Sequence, residues 1–217
     1  MKEYLTKNFP NLTLRRPLFY SSAIGIRFEI GPTNISIWKD FDRREINEKY
    51  FVDASQRAKS IFELMFESED ELILVYQKFS DGRQKIKKRF YLFNQIKNSI
   101  TKKITYTDIK GLYGDDSDFK GPKCYCWKRV EIELKTKDVN YENILYALIN
   151  MDFSNRGHSL QGECFFINRT KNIILNLYDD RGMDVIASKK ETLIELYSKY
   201  NHWILDYDRK KIDALFK

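Results

Sequence analysis

A short acidic motif is the part of the chain whose residue types are best suited to chemistry. It interrupts an apolar run that otherwise predicts a buried strand, and it reads Tyr178-Asp179-Asp180-Arg181-Gly182-Met183-Asp184. The carboxylates of Asp179, Asp180 and Asp184 suit a hard metal such as Mg²⁺, and Arg181 would balance phosphate charge. These residues are therefore compatible with a metal-dependent phosphoryl hydrolase or nuclease.

The same residues also suit a structural turn, which is the interpretation we favour. The first two aspartates are adjacent, so in a regular strand they would point to opposite faces. In a turn, Asp180 would accept backbone N–H groups and Gly182 would adopt a positive φ. Arg181 would pair with a carboxylate such as Asp206 or Asp208. We therefore assign no catalytic residue and no metal ligand, and we expect an Asp180→Ala variant to melt at a lower temperature.

A basic segment in the middle of the chain is the second candidate site. Residues 78–110 hold ten Lys and Arg against two Asp, in a chain with a net charge of +7. The candidate contacts to a partner or to phosphate are Arg83, Lys85, Lys87, Lys88 and Arg89. A local positive patch indicates an acidic partner, either an acidic protein or the phosphate backbone of a nucleic acid.

Aromatic residues follow this basic segment, at Phe90, Tyr91 and Phe93. Basic side chains interleaved with aromatic ones are typical of surfaces that bind RNA or single-stranded DNA, through charge neutralisation and stacking. The same aromatic residues would serve equally well as core residues of a strand. Nucleic-acid binding through residues 83–103 therefore stays an alternative.

The histidines and cysteines form no recognisable catalytic pattern. His158 lies in a polar loop, and His202 lies where a helix would meet a strand. Cys124 and Cys126 have the wrong spacing for a zinc site, and Cys164 is typical of a core residue. An odd number of cysteines without a secretion signal favours a reducing compartment. The sequence thus predicts no cofactor and a cytoplasmic location.

Strands and helices are predicted to alternate along the chain. Strands are expected at 22–30, 71–79, 85–92, 124–134, 164–168, 172–178 and 203–205. Asp81-Gly82 is expected to form a hairpin turn between the second and third strands. Helices are expected at 53–66, 140–151, 188–200 and from 208 onward, with Asp53, Ser188 and Asp208 as capping residues.

The order strand, helix, hairpin occurs twice, at 22–92 and 124–178. It predicts an α+β fold with mixed or antiparallel sheets and packed helices, as two βαββ-like modules side by side or as a single mixed sheet. A loop rich in Gly and Asp at 105–122 is the expected boundary. It would separate a basic N-terminal module, 1–110, from a C-terminal module, 111–217, that carries the motif.

The motif and the residues after it resemble a bacterial domain family of unknown function, DUF3885, whose hallmark is the sequence YDDRG. The resemblance covers residues 177–216, including Trp203-Ile204-Leu205-Asp206-Tyr207-Asp208-Arg209, and more loosely 140–176. It implies a small bacterial cytoplasmic protein and brings no activity with it.

The function that the sequence favours is a non-enzymatic protein-binding module of immunity or regulatory type. Such a protein needs a stable scaffold and a surface complementary to its partner. The hydrolase at Asp179–Asp184 and the nucleic-acid-binding protein are the two alternatives. No apolar run is long enough to span a membrane, so we expect no membrane partner.

Overall fold

Seven strands form one antiparallel sheet in the computed structural model, which describes residues 1–80, 85–87, 90–113 and 126–217. The strands are β1 (Gly25–Glu29), β2 (Glu71–Ser80), β3 (Lys103–Ile109), β4 (Cys126–Lys135), β5 (Glu163–Asn168), β6 (Ile173–Leu177) and β7 (Gly182–Ala187). Their order in space is β1-β7-β6-β5-β2-β4-β3. The predicted α+β class is confirmed. Strands before and after residue 110 share this one sheet, and the division into two modules stays a prediction.

The helices of the described residues are α1 (Lys2–Asn8), α2 (Glu48–Met65), α3 (Tyr91–Asn94), α4 (Tyr141–Ile149), α5 (Ile194–Lys199) and α6 (Asp206–Phe216). Helices α2 and α4 pack against each other, and the ring of Tyr141 stacks on that of Phe62 at 4.2 Å between centroids. Asn140 caps α4, because its side chain accepts a hydrogen bond from the Asn143 N–H group.

Both faces of the sheet are covered. Successive side chains of a strand point to opposite sides, so each strand contributes residues to two cores. On one face, which we call the helical face, Tyr76 and Phe166 belong to the core formed with α2 and α4. On the other, the N-terminal face, residues 1–21 lie over the strands. There Leu5, Phe9, Leu14 and Leu18 form a second core with residues such as Phe165.

The structure corrects three predictions in the first half of the chain. Helix α2 begins at Glu48 rather than Asp53, because Tyr50 and Phe51 extend its buried stripe by a further turn. The strand predicted at 85–92 is wrong where the structure describes it: residues 85–87 are irregular and α3 follows. The loop predicted from 105 begins later, because β3 extends to Ile109. The predicted Asp81-Gly82 turn and Cys124 lie outside the described residues.

Three predictions near the C terminus are also corrected. Ser188 does not cap a helix; a 3₁₀ turn, Lys190–Leu193, leads into α5. Residues 203–205 form no strand, although Ile204 makes a single bridge to Phe28. Helix α6 begins at Asp206, and Asp208 lies buried in its first turn. Residues 203–208 adopt this conformation because they pack on β1, where the Leu205 N–H donates to the Arg27 carbonyl at 2.9 Å.

Candidate functional site

The acidic motif forms the turn between β6 and β7. The Tyr178 N–H donates to the Gly182 carbonyl at 3.2 Å, which closes the turn. Gly182 is not among the glycines with a positive φ, so that expectation was wrong. It is required for another reason: a Cβ at this position would overlap the Tyr178 ring. The motif thus combines a tight turn with close packing of its first residue on its glycine.

Asp179 stabilises the turn from within. Its carboxylate accepts hydrogen bonds from the Arg181 N–H at 2.8 Å and from Arg181 Nε at 3.0 Å. Arg181 therefore pairs with Asp179. The pairing with Asp206 or Asp208 that the sequence suggested was wrong. The local pair is favoured because a residue two positions away reaches it without the cost of ordering a distant segment. The Arg181 carbonyl accepts the Ile30 N–H at 2.8 Å, which joins the turn to the end of β1.

Asp180 connects the turn to α2. The Tyr50 hydroxyl donates to Asp180 Oδ2 at 2.9 Å, and both residues are buried. The sequence suggested backbone N–H partners for Asp180; the backbone of Asp180 itself does contribute a hydrogen bond, and the sequence missed the side-chain partner Tyr50. Burial raises the pKa of Asp180 above its ordinary value, while the hydrogen bond from Tyr50 opposes the rise.

Asp184 lies on β7 and points to the N-terminal face, where it is fully buried. Arg27 of β1 is its cross-strand neighbour, and Arg27 Nε lies 2.8 Å from Asp184 Oδ1. Asp184 Oδ2 also accepts the Phe19 N–H at 3.0 Å. The guanidinium of Arg27 lies 3.5 Å from Asp208 and 4.8 Å from the centre of the Tyr20 ring. A buried arginine with two aspartates thus fixes residues 19–20 and α6 on the sheet.

The three motif carboxylates therefore have three different partners, Arg181, Tyr50 and Arg27. Across the residues that the structure describes, no group of three or more His, Cys, Asp or Glu side chains is placed to bind a metal ion. The motif is a turn whose side chains and backbone are joined by hydrogen bonds to α2, β1 and the N-terminal segment.

A second buried polar cluster lies on the N-terminal face near the middle of the sheet. Gln77 Nε2 donates to Glu163 Oε2 at 2.7 Å, and Arg129 Nε donates to Gln77 Oε1 at 2.8 Å. Arg16 Nε lies 3.6 Å from Glu163 Oε1. The other end of the Arg16 guanidinium donates to the Tyr178 carbonyl at 2.9 Å. Arg16 thus joins this cluster to the motif.

Sequence reasoning missed Arg27 and Glu163. No signal in the sequence pointed to Arg27, because Ile26 and Phe28 point to the helical face and the alternation of a strand then places Arg27 on the opposite side, which the sequence alone assigns to solvent. In the structure the N-terminal segment and α6 cover that side, so Arg27 is buried and pairs with Asp184 and Asp208. Glu163 also carried no clear signal, because it stands at the start of β5, where a strand end is commonly exposed.

The basic segment lies on the surface where the structure describes it. Lys85 and Lys87 are exposed, whereas Ile86 between them is buried in the core of the helical face. Arg83, Lys88 and Arg89 lie outside the described residues. Lys85 and Ile86 line a cavity of about 400 Å³ together with Tyr106 and Lys128. The structure thus brings part of the basic segment next to β3 and β4.

The aromatic residues after the basic segment belong mainly to the core. Phe93 is buried, and Phe90 and Tyr91 pack against the same core. The Tyr91 ring lies 4.5 Å from that of His158, which is exposed in its loop. These rings are therefore not arranged as a stacking platform for bases.

Cys164 is fully buried, and burial raises the pKa of its thiol.

The fold and the motif together define an α+β protein in which an acidic turn ties a seven-stranded antiparallel sheet to its covering elements. The chain belongs to the family described as "Domain of unknown function (DUF3885)", whose model matches residues 1–208. The match extends the resemblance seen at 140–216 to nearly the whole chain, and so includes the N-terminal segment and the basic segment.

A curated relative of similar length is the "Uncharacterized protein YnaE" of Bacillus subtilis (strain 168). It is 28% identical over 213 residues, which cover 94% of this chain and 96% of the relative. No solved structure matches the chain. Within the described residues, every helix is too short or too polar to cross a membrane.

Proposed function

We propose that the chain is a non-enzymatic protein-binding module, of immunity or regulatory type, whose partner is an acidic protein. The observation that carries the proposal is the placement of the exposed Lys85, two residues before the exposed Lys87, beside an exposed outer strand of the sheet, β3. A scaffold with fixed geometry that displays charge of one sign suits the steering and selection of an oppositely charged partner.

The charge of this surface is only partly balanced within the fold. Lys103 pairs with Glu133 at 2.8 Å, and Lys128 pairs with Asp108. Lys110 is exposed at the end of β3, as are Lys85 and Lys87. The surface therefore keeps a positive excess that an acidic partner would neutralise.

The use of the motif carboxylates supports a binding role over a catalytic one. Each carboxylate accepts a hydrogen bond from a side chain of the fold itself, and Asp184 is fully buried. Groups used in this way stabilise a scaffold.

The proposal includes a bacterial cytoplasm as the location, which the buried thiols of Cys126 and Cys164 would suit.

The test is affinity capture of the tagged chain from its native cells, with and without nuclease, followed by quantitative mass spectrometry. The wild-type chain is compared with a Lys85→Glu/Lys87→Glu variant. A Lys189→Glu/Lys210→Glu variant is the matched control, because it makes the same change in charge at exposed positions in the C-terminal part of the chain. We expect one stoichiometric protein that survives nuclease, is retained by the control and is lost from the Lys85/Lys87 variant.

Other outcomes would overturn the proposal. Recovery of nucleic acid, or of proteins that disappear with nuclease, would favour the nucleic-acid-binding alternative, for which the exposed ring of Tyr106 beside Lys128 is a specific observation. A chain recovered alone would leave the hydrolase alternative. That alternative predicts Mg²⁺ or Mn²⁺ binding that is lost in an Asp180→Asn variant, which a calorimetric metal titration measures.

A further inference from the structure

The two edges of the sheet differ in how they are covered. At one edge, β1 is shielded by the segment before α6, because Ile204 bridges Phe28 and the Leu205 N–H donates to the Arg27 carbonyl. At the other edge, β3 pairs with β4, and no other strand of the described residues pairs with it. Proteins commonly cover or shorten such an edge, since its unpaired N–H and C=O groups can pair with another chain.

A hollow lies on each side of the sheet next to β3. On the N-terminal face, a groove of about 860 Å³ separates β3 and β4 from residues 1–14, and Thr105, Thr107, Glu131 and Leu12 contribute to its walls. On the opposite face is the cavity of about 400 Å³, whose lining includes Tyr106, Lys85, Lys128 and Asp108. A strand added to β3 would point its side chains alternately to these two sides.

We propose that β3 is a docking edge, to which an extended acidic segment of a partner protein adds as a further strand. The inference rests on the proposed function and names the part of the partner that is recognised. Main-chain hydrogen bonds to β3 would give affinity, and alternate side chains in the two hollows would give specificity. Acidic side chains on the side of Lys85, where Lys128 is already paired with Asp108, would alternate with apolar ones on the side of Leu12.

Charge decides between the occupants of this edge. An extended acidic segment would meet Lys85, which lines the cavity beside β3, and Lys110, which directly follows β3, and both are exposed. A second copy of the chain, paired edge to edge, would instead bring two sets of these cations together and would be opposed by their repulsion. The edge therefore fits an acidic partner better than self-association.

The first experiment uses a defined probe, a fluorescent, end-blocked peptide of the sequence Glu-Val-Glu-Val-Glu-Val-Glu. Its matched control has Lys in place of each Glu. Anisotropy titrations at low salt are expected to give at least tenfold tighter binding of the acidic peptide. Amide hydrogen exchange is expected to gain protection at alternate residues of β3 and none in β1. Equal affinity for the two peptides, or protection confined to other elements, would overturn the inference.

The second experiment separates main-chain pairing from charge attraction. Adjacent residues of a strand direct their N–H groups to opposite sides, so in only one of the variants Thr105→Pro and Tyr106→Pro is the lost N–H directed at β4. Thermal melting identifies the variant that keeps the stability of the wild type. That variant is expected to bind the acidic peptide at least tenfold more weakly; unchanged binding would contradict strand addition.

The two proposals fail in different ways. If the chain captures a protein that depends on Lys85 and Lys87 but the stable proline variant captures it equally well, strand addition at β3 is wrong and the binding function stands. If no protein is captured and no peptide binds, both are wrong. Sedimentation that shows a dimer disrupted by the stable proline variant would assign the edge to a second copy instead.

Discussion

At the scale of single residues, Asp179, Asp180 and Asp184 are close in sequence but are held by different parts of the molecule. The presence of a turn at this motif was predicted from the sequence alone, and its purely structural role stays a prediction. The partners of the three aspartates were not predicted, because Tyr50 and Arg27 are separated from the motif by most of the chain. One sequence shows which groups must be satisfied when buried, but not which distant residue satisfies them.

Replacement of Asp184 by Asn is expected to lower the free energy of unfolding by about 3 kcal/mol, because it leaves the buried Arg27 without its closest carboxylate. Urea denaturation followed by circular dichroism measures the change. Glu45→Gln is the control, since Glu45 pairs with Lys39 at the surface and such pairs contribute less than about 1 kcal/mol. Equal effects of the two replacements would show that the Arg27 pair is not a major contribution.

Asp180 is expected to make stability depend on pH in a defined direction. Burial raises the pKa of its folded carboxyl above the ordinary value, so between the two pKa values the folded protein binds more protons than the unfolded chain. Its contribution is therefore present at low pH and is lost as the pH rises through the folded pKa. Asp180→Asn has no carboxyl to titrate, so it should gain stability relative to wild type in a pH series that rises from the ordinary aspartate pKa of about 3.9 through the folded pKa.

The measurement is thermal melting of wild type and Asp180→Asn across that pH series, taken as a difference so that other titrating groups cancel. Asp180→Ala is the companion variant, because it removes the acceptor of the Tyr50 hydroxyl and should melt at a lower temperature at every pH. A difference between wild type and the Asn variant that does not change with pH would contradict the assigned pKa shift.

At the scale of elements, the sequence predicts best what is buried on a regular period. Strands β2 and β4, the β5–β6 hairpin and α4 were all expected, because their apolar residues alternate or recur at helical spacing. Strand β3 was missed, since most of its residues are exposed and give no periodic signal. The strand expected at 85–92 was wrong because Ile86, Leu92 and Phe93 enter the core from irregular chain and a short helix.

Helix caps give a prediction at this scale. Asn140→Ala is expected to cost about 1 kcal/mol of stability, because the Asn140 side chain accepts the Asn143 N–H at 3.2 Å. Ser188→Ala is the matched control and should change stability by less than about 0.5 kcal/mol, since Ser188 caps no helix in the structure. Chemical denaturation of both variants makes the comparison, and a larger loss for Ser188→Ala would restore the capping box that the sequence suggested.

At the scale of the whole molecule, the strand order bears on how the chain unfolds. Strand β2 lies between β4 and β5, so a strand that precedes residue 110 is paired on both sides with strands that follow it. We therefore expect one cooperative unfolding transition, with the calorimetric and van't Hoff enthalpies equal. Differential scanning calorimetry checks this, and two separate transitions would support independent modules divided at residue 110.

The placement of residues 1–29 has a consequence for synthesis in the cell. Phe19 contacts Asp184, 165 residues further along the chain, and β1 pairs only with β7 among the described strands. At about 5–20 residues per second, the ribosome needs on the order of 10–30 seconds to add the intervening residues. Residues 1–29 can therefore reach their final position only after β7 has been made, and we expect Leu14 and Leu18 to stay accessible to chaperones until then.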